Sequence, residues 1–248
     1  MTDNIIEVAH LDAGYPGVKV LEDVNFSIAR GEVFALLGGS GCGKSTMMKH
    51  LIGLNPALGG VITIDGLEMN AYTLPSILRR IGVMYQSGAL FGSMTVLENV
   101  MLPLEEFTRL PAMARRTLAL MQLELVGLKD AADKMPGDLS GGMKKRAAIA
   151  RAMVLEPSIL FLDEPSAGLD PVTSNALDEL ILRLRDTRGV TFVVVTHELP
   201  SIFKIADRAA MFDKRRQAMI ALGSPQELKA RSTDPFVQKF FNRGEVHG

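Results

Sequence analysis

The stretch Val33-Phe34-Ala35-Leu36-Leu37-Gly38-Gly39-Ser40-Gly41-Cys42-Gly43-Lys44-Ser45-Thr46 decides how this chain folds. Val33 to Leu37 is an unbroken apolar run, the mark of a strand buried on both faces. Gly38 to Thr46 follows it and fits G-x-x-x-x-G-K-[ST] without a gap. Met47 to Leu51 then reads as a helix. Strand, glycine loop and helix in that order form a phosphate cradle. The glycines let backbone N–H groups turn inward and approach a polyphosphate, and the helix N-terminus adds a positive dipole end. Lys44 supplies a point charge for the β- and γ-phosphates, and Ser45 a hydroxyl for Mg²⁺. The pattern implies a bound nucleoside triphosphate.

The 248 residues suffice for one large domain, or for a domain with an inserted lobe. Hydrophobic residues make up 47% of the chain, yet no apolar run reaches the ~18 residues that span a bilayer. The apolar content lies in short blocks such as Ile159-Leu160-Phe161-Leu162 and Thr191-Phe192-Val193-Val194-Val195, which suit buried parallel strands. Met1-Thr2-Asp3-Asn4-Ile5 lacks the basic and long apolar regions of a secretory signal. A single cysteine excludes an internal disulfide and fits a reducing compartment. A net charge of −1 gives no global pull toward nucleic acid, which is not expected as a partner.

Outward from the loop, Ile5 to Ile28 alternates. Val24, Phe26 and Ile28 point one way and Asn25 and Ser27 the other, as in a half-buried strand. Val61 to Ile64 followed by Asp65-Gly66 reads as a strand ending in a turn, so a small antiparallel layer is expected near the loop. Ile81 to Tyr85 is a further strand, ending at Gln86. From Thr95 to about Met135 the pattern is helical, with Pro111 at the first position of a helix over Ala112 to Val126 and Gly127 as its stop. This segment reads as an inserted helical lobe. The expected organisation is a nucleotide-binding core at 1–92 and 138–222, a helical subdomain at 93–137 and a tail at 223–248, in which Ser224-Pro225-Gln226-Glu227 forms a capping box.

Leu139-Ser140-Gly141-Gly142-Met143 opens a helix expected to run to about Glu156, where Pro157 forbids continuation. Ser140 is a natural N-cap. The residues after it break local rules. Two glycines in the first turn cost about 1 kcal/mol each against alanine. Lys144, Lys145 and Arg146 put cations near the positive dipole end. An anion docked on the Ser140 hydroxyl and the N–H groups of Gly141 and Gly142 would resolve the conflict. The three cations read as a solvated basic face.

With these residues the chain resembles the ATP-binding-cassette family, whose signature is Leu-Ser-Gly-Gly-Gln. Here Met143 stands in the last place and cannot make the amide hydrogen bonds of glutamine. The resemblance implies an α/β P-loop NTPase (RecA-like) core with a parallel sheet, a small antiparallel layer and an inserted α-helical subdomain. It implies ATP and Mg²⁺ as cofactors. Ile159 to Leu162 followed by Asp163-Glu164 matches the Walker B strand, which gives Asp163 the Mg²⁺ shell and Glu164 the general-base role. Gln86 matches the Q-loop glutamine, which reaches Mg²⁺ and the attacking water. Ser166-Ala167-Gly168-Leu169-Asp170 matches the D-loop, with Asp170 contacting the opposite subunit. His197 falls where the H-loop histidine contacts the γ-phosphate, and Tyr15 resembles the aromatic that stacks on adenine. In that family the two halves of a site come from different subunits. The active form implied is a head-to-tail pair with two ATP at the interface, driving a membrane permease.

The segment from Tyr85 to Val100, together with Met143 and Asp234-Pro235-Phe236-Val237, is similar to the ATPases of mammalian-cell-entry (MCE) lipid transporters of the Mla type. That narrower likeness implies phospholipid or a related lipid as cargo, an MCE-domain lipid-binding protein and a small STAS-domain subunit as partners, and a peripheral place on the cytoplasmic face of the inner membrane. Other readings stay open: a transporter for an amino acid, a metal chelate or a lipoprotein, a soluble cassette acting on DNA or ribosomes, or a non-hydrolysing module. Phe236, Phe240 and Phe241 either dock on a partner or pack on their own domain; under the first reading, deletion of residues 233–248 weakens assembly. Cys42 sits inside the loop, so a bulky thiol reagent is expected to block ATP binding.

Overall fold

A computed structural model describes residues 3–242. Met1, Thr2 and the end of the tail, residues 243–248, lie outside the described residues. In chain order the elements are β1 (Asn4–Tyr15), β2 (Val18–Ala29), β3 (Val33–Gly38), α1 (Lys44–Leu51), β4 (Gly59–Ile64), β5 (Leu67–Glu68), α2 (Leu74–Leu78), β6 (Ile81–Met84), α3 (Val96–Phe107), α4 (Ala112–Leu125), α5 (Gly141–Met153), β7 (Ile159–Asp163), α6 (Pro171–Arg188), β8 (Thr191–Val195), α7 (Leu199–Ile205), β9 (Arg208–Asp213), β10 (Ala218–Gly223), α8 (Pro225–Arg231) and α9 (Pro235–Phe241). Two short 3-10 turns, Lys129–Ala131 and Pro136–Asp138, join α4 to α5.

The apolar blocks form one six-stranded sheet in the order β10-β9-β3-β8-β7-β6. Its β3, β6, β7, β8 and β9 run parallel, and β10 closes the edge antiparallel. Each parallel strand is apolar on both faces because both faces are covered. Phe192, Val194, Leu160 and Leu162 pack with α3, α5 and α6, while Val193, Val195, Ile159 and Phe161 pack with α1 and the second sheet. That second sheet is four-stranded and antiparallel, in the order β2-β1-β4-β5. The fold is therefore the α/β architecture expected, with the small antiparallel layer on the loop side.

Boundaries moved by a residue or a few. Pro111 is the N-cap of α4 rather than its first residue. Helix α5 stops at Met153, short of Glu156, and Glu156 takes a positive φ of 54° to turn the chain into β7. The tail reading divides. Phe240 and Phe241 are buried against Ala35, Leu37, Ile202 and Met211 of their own domain, so they pack at home and do not present a docking surface. Phe236 is half-buried on the same cluster.

Candidate functional site

Parallel register sets the site. Leu36 lies beside Val195, Val195 beside Asp163, and Leu162 beside Met84. The chain segments that leave β3, β7, β8 and β6 therefore emerge side by side at the carboxyl edge of the sheet, where α/β proteins place ligands. Those segments carry Gly38 to Thr46, Glu164, His197 and Gln86.

The glycine loop needs its glycines. Gly38 has φ 143°, and a Cβ there would lie 2.5 Å from both the Cys42 Sγ and the Phe212 carbonyl oxygen. Gly43 has φ 107° and ends the loop as the N-cap of α1. No side chain caps this helix and no acidic residue sits in its first turn, so its leading N–H groups point at the cradle. Ser40, Gly41 and Ser45 are exposed on the rim, Gly39 and Lys44 are half-buried, and Thr46 is buried. The Lys44 ammonium donates to the carbonyl oxygens of Gly38 at 2.9 Å and Gly39 at 3.0 Å, which holds it over the loop. Cys42 is 1% exposed, and burial pushes its thiol up. Both facts shield it from the bulky thiol reagent expected to reach it.

Asp163 ends β7 half-buried. Burial, and then the neighbouring Glu164 carboxylate, raise its pKa, while Lys145, Lys44 and Lys49 oppose the rise. Glu164 sits at φ 47°, in the left-handed region that non-glycine residues avoid. Its backbone N–H donates to the Val195 carbonyl at 2.8 Å, which anchors the strained turn to β8. Its side chain is 13% exposed. One carboxylate oxygen, Oε1, lies 2.9 Å from His197 Nδ1; a carboxylate only accepts, so the Nδ1–H donates. The other, Oε2, is buried with no protein partner, and the buried Ser166 Oγ is likewise unpaired. The structure thus joins His197 to Glu164 directly.

Tyr15 ends β1 with its ring 42% exposed and the Lys49 ammonium 5.9 Å from its centroid. A hydrogen bond with the Thr46 hydroxyl lowers its phenol pKa, so the ring stands against the glycine loop. Behind it, the fully buried His50 accepts the Gly14 N–H at 2.9 Å through Nε2 and fastens α1 to the turn that carries Tyr15. Burial lowers the pKa of this imidazole. Sequence reading passed over His50, since a helical histidine carries no sign of which turn it meets.

Ser140 caps α5, its Oγ accepting the Met143 N–H at 3.3 Å. Ser140 and Gly141 are exposed, whereas Gly142 is buried where a Cβ would stand 2.3 Å from Thr173 Cγ2. Met143 packs partly on the core. Among the described residues, no hydrogen bond or ion pair links Ser140, Gly141 or Gly142 to the glycine loop. Asp170 is committed as the N-cap of α6, accepting from the N–H groups of Val172 and Thr173 at 3.0 Å each and from Thr173 Oγ1 at 2.5 Å. The Thr173 hydroxyl, and then its N–H, hold the Asp170 pKa low.

The solvated face expected for Lys144, Lys145 and Arg146 is overturned at its centre. Lys145 is 6% exposed, with its ammonium donating to the carbonyl oxygen of Glu164 at 3.1 Å and to that of Gln86. Consecutive helical positions lie about 100° apart, and here the middle one of the three faces inward while its neighbours stay half-buried. Gln86 itself is exposed. Asn99, fully buried, binds Phe91 N–H and the carbonyls of Phe91, Met94 and Thr95 and shapes the chain from Gln86 into α3.

Comparison with known proteins places this geometry. The family profile described as "ABC transporter" matches residues 21–167. The chain is 40% identical over 226 residues to the intermembrane phospholipid transport system ATP-binding protein MlaF of Escherichia coli K12, covering 90% of this chain and 83% of that one. It is 40% identical over 240 residues to the "Probable ribonucleotide transport ATP-binding protein mkl" of Mycobacterium leprae, covering 96% and 68%. It superposes on a dimeric post-hydrolysis cassette, MJ0796, bound to ADP and Pi, with a TM-score of 0.78 and 30% identity over 88% and 98% of the two chains. This chain belongs to the ABC transporter family, as an ATP-binding and ATP-hydrolysing subunit of a transporter.

Proposed function

We propose that this subunit powers the movement of phospholipid or a related lipid between bacterial membranes. It works as a pair of copies seated beneath a permease on the cytoplasmic face of the inner membrane. The lipid reading draws on the name of the E. coli relative, and an MCE-domain lipid carrier and a STAS-domain subunit complete the complex. The pairing draws on the dimeric cassette and on the lack, among the described residues, of a hydrogen bond or ion pair between Ser140 and the glycine loop of the same chain. Each ATP lies between the loop Gly38–Thr46 of one copy, with Tyr15 on its base, and Ser140, Gly141 and Gly142 of the other. Asp170 contacts that other copy through its backbone, since its carboxylate is engaged on α6. Residues 93–137 act as the moving helical subdomain on the core of 1–92 and 138–222, with 223–248 as a tail.

The oxygen donors fit Mg²⁺. Ser45 is exposed on the rim of the glycine loop, Gln86 is exposed after β6, and Asp163 is a half-buried carboxylate at the end of β7 whose pKa burial and then Glu164 raise. Bound there, the ion would neutralise phosphate charge. The chain's own residues do the rest. Glu164 Oε2, buried and unpaired, accepts the proton of a water as its oxygen attacks the γ-phosphorus; the bond to ADP breaks and inorganic phosphate forms. His197 holds Oε1 so that Oε2 faces the water, and Lys44 meets the phosphate charge once its loop carbonyls release it.

The paired state of Glu164, one oxygen held and one free, carries the hydrolytic reading. Glu164→Gln is expected to bind ATP normally, trap the dimer and lose turnover by about 10²-fold or more. Near-normal turnover would require another base. Cargo is tested by mass spectrometry of lipids in the purified native complex. Phospholipid supports the reading, and a nucleotide cargo would favour the alternative that the mycobacterial relative's name suggests.

A further inference from the structure

Helix α5 reaches the Gln86 loop twice. Lys145 binds the carbonyl of Gln86, and Arg151, a turn and a half further on, donates to the carbonyls of Ala89 at 2.7 Å and Gly88 at 2.9 Å. A Cβ at Gly88 would lie 3.5 Å from the Ala148 Cβ and from the Lys144 carbonyl oxygen, so the loop runs close against α5. Lys145 spends its remaining reach on the Glu164 carbonyl. A cation buried near the positive end of a helix carries two penalties, from desolvation and from the dipole. Burial lowers its pKa, and the charges of Glu164, Asp163 and Glu198 oppose that fall only in part. A methionine or leucine would fill the same space without those penalties. What they could not do is hold two carbonyls from two different loops.

We propose that Lys145 is a positioning residue for hydrolysis: it locks the backbone of Gln86 and of Glu164 to the helix whose N-terminus reads the partner copy's nucleotide. This rests on the ATP-sandwich reading above. Arrival of phosphate at Ser140 in one site is thereby felt at the base of the neighbouring site, because α5 carries both ends as one rigid body. Lys145 touches neither nucleotide; it acts through Gln86 and Glu164.

The test uses the full chain in its native complex. Lys145→Met is expected to lower kcat by about 100-fold while the dissociation constant for ATP stays at the parent value. Amide exchange at residues 86–90 should quicken by about tenfold, the loss of roughly one hydrogen bond. Lys145→Arg, which keeps the cation and both donors, should recover most of the rate. Parent kcat in the methionine variant overturns the proposal. So does a fall in which ATP affinity, melting temperature and exchange across the whole domain all change together, since that is a merely structural role. If the methionine variant does not fold, Lys145→Gln is judged by the same readings. Failure of the sandwich reading shows separately, as a Glu164→Gln variant that binds ATP yet stays a single copy by light scattering.

Discussion

Helices α1 and α5 begin alike in sequence, each from a serine- and glycine-rich turn followed by lysine, and they solve the start of a helix in opposite ways. Helix α1 starts from Gly43 in the left-handed region with no side-chain cap, and its lysine folds back over the loop. Helix α5 is capped by its own Ser140, and its buried lysine turns inward to hold two loops. The ordinary helices α3 and α8 use complete capping boxes, Thr95 with Glu98 and Ser224 with Glu227. Open N–H groups make α1 a receptor for charge. Under the proposed sandwich, a satisfied cap and a fixed interior cation make α5 a reader whose position matters more than its own affinity. In both helices the departures from local rules fall where function is expected.

The comparison breaks most visibly in binding. Lys44→Ala should abolish measurable ATP binding, because it removes the ammonium that the Gly38 and Gly39 carbonyls hold over the loop. Ser140→Ala should leave binding to the single chain intact and cost about 1 kcal/mol of stability through the lost cap, with turnover falling as pairing fails. Equilibrium binding of a fluorescent ATP analogue, beside steady-state hydrolysis, separates the two. Equal losses of binding in both variants would erase the distinction between receptor and reader.

Much of this fold could be read in advance, and the limits are physical. The blocks Val33 to Leu37, Ile159 to Leu162 and Thr191 to Val195 announce themselves because a strand covered on both faces has no polar alternate. The box at Ser224 is legible because its partner lies three residues away. Lys145 was hidden, since three adjacent cations look alike until the Gln86 loop and β7 lie against one of them. His50 and the tail phenylalanines depend in the same way on surfaces distant in sequence. The φ of Glu164 is set by the anchor to Val195 and by nothing in its own neighbourhood. The pairing of His197 with Glu164 likewise needs β7 and β8 side by side before it exists.

A smaller effect sharpens the picture of α5 as a positioned body. Gly142 leaves no room for a Cβ, which would meet Thr173 Cγ2 at 2.3 Å. Thr173 cannot swing its methyl away freely, because its hydroxyl is held by Asp170 at 2.5 Å in the cap of α6. Gly142→Ala should therefore cost about 1–3 kcal/mol by overpacking, read as a lower melting temperature, with α5 displaced. Thr173→Ser added to it removes the methyl and keeps the hydroxyl, and should restore most of the loss. If the double variant is no better than the single, the glycine serves something other than the close approach of α5 to α6.

The smallest effect lies at the far end of that contact. Asp178 on α6 is 4% exposed and accepts the Ser201 hydroxyl at 3.0 and 2.8 Å, which ties α6 to the helix after His197. Burial raises its pKa, and the Ser201 hydrogen bond only partly offsets the rise. The sign follows. Above the unfolded value of 3.8 the unfolded chain has released this proton while the folded chain keeps it, so stability falls as pH rises until the folded group also ionises. Asp178→Asn keeps an acceptor for Ser201 and removes the charge. It should match the parent near pH 3.5 and exceed it at neutral pH, with the pH slope of the melting temperature reduced. Because α6 also buttresses Gly142, the variant tests whether the α5 platform gains rigidity when its support is neutral: turnover should hold or rise slightly. A variant less stable than the parent at pH 7 would mean that the ionised carboxylate, paired with more than Ser201, is what joins these helices.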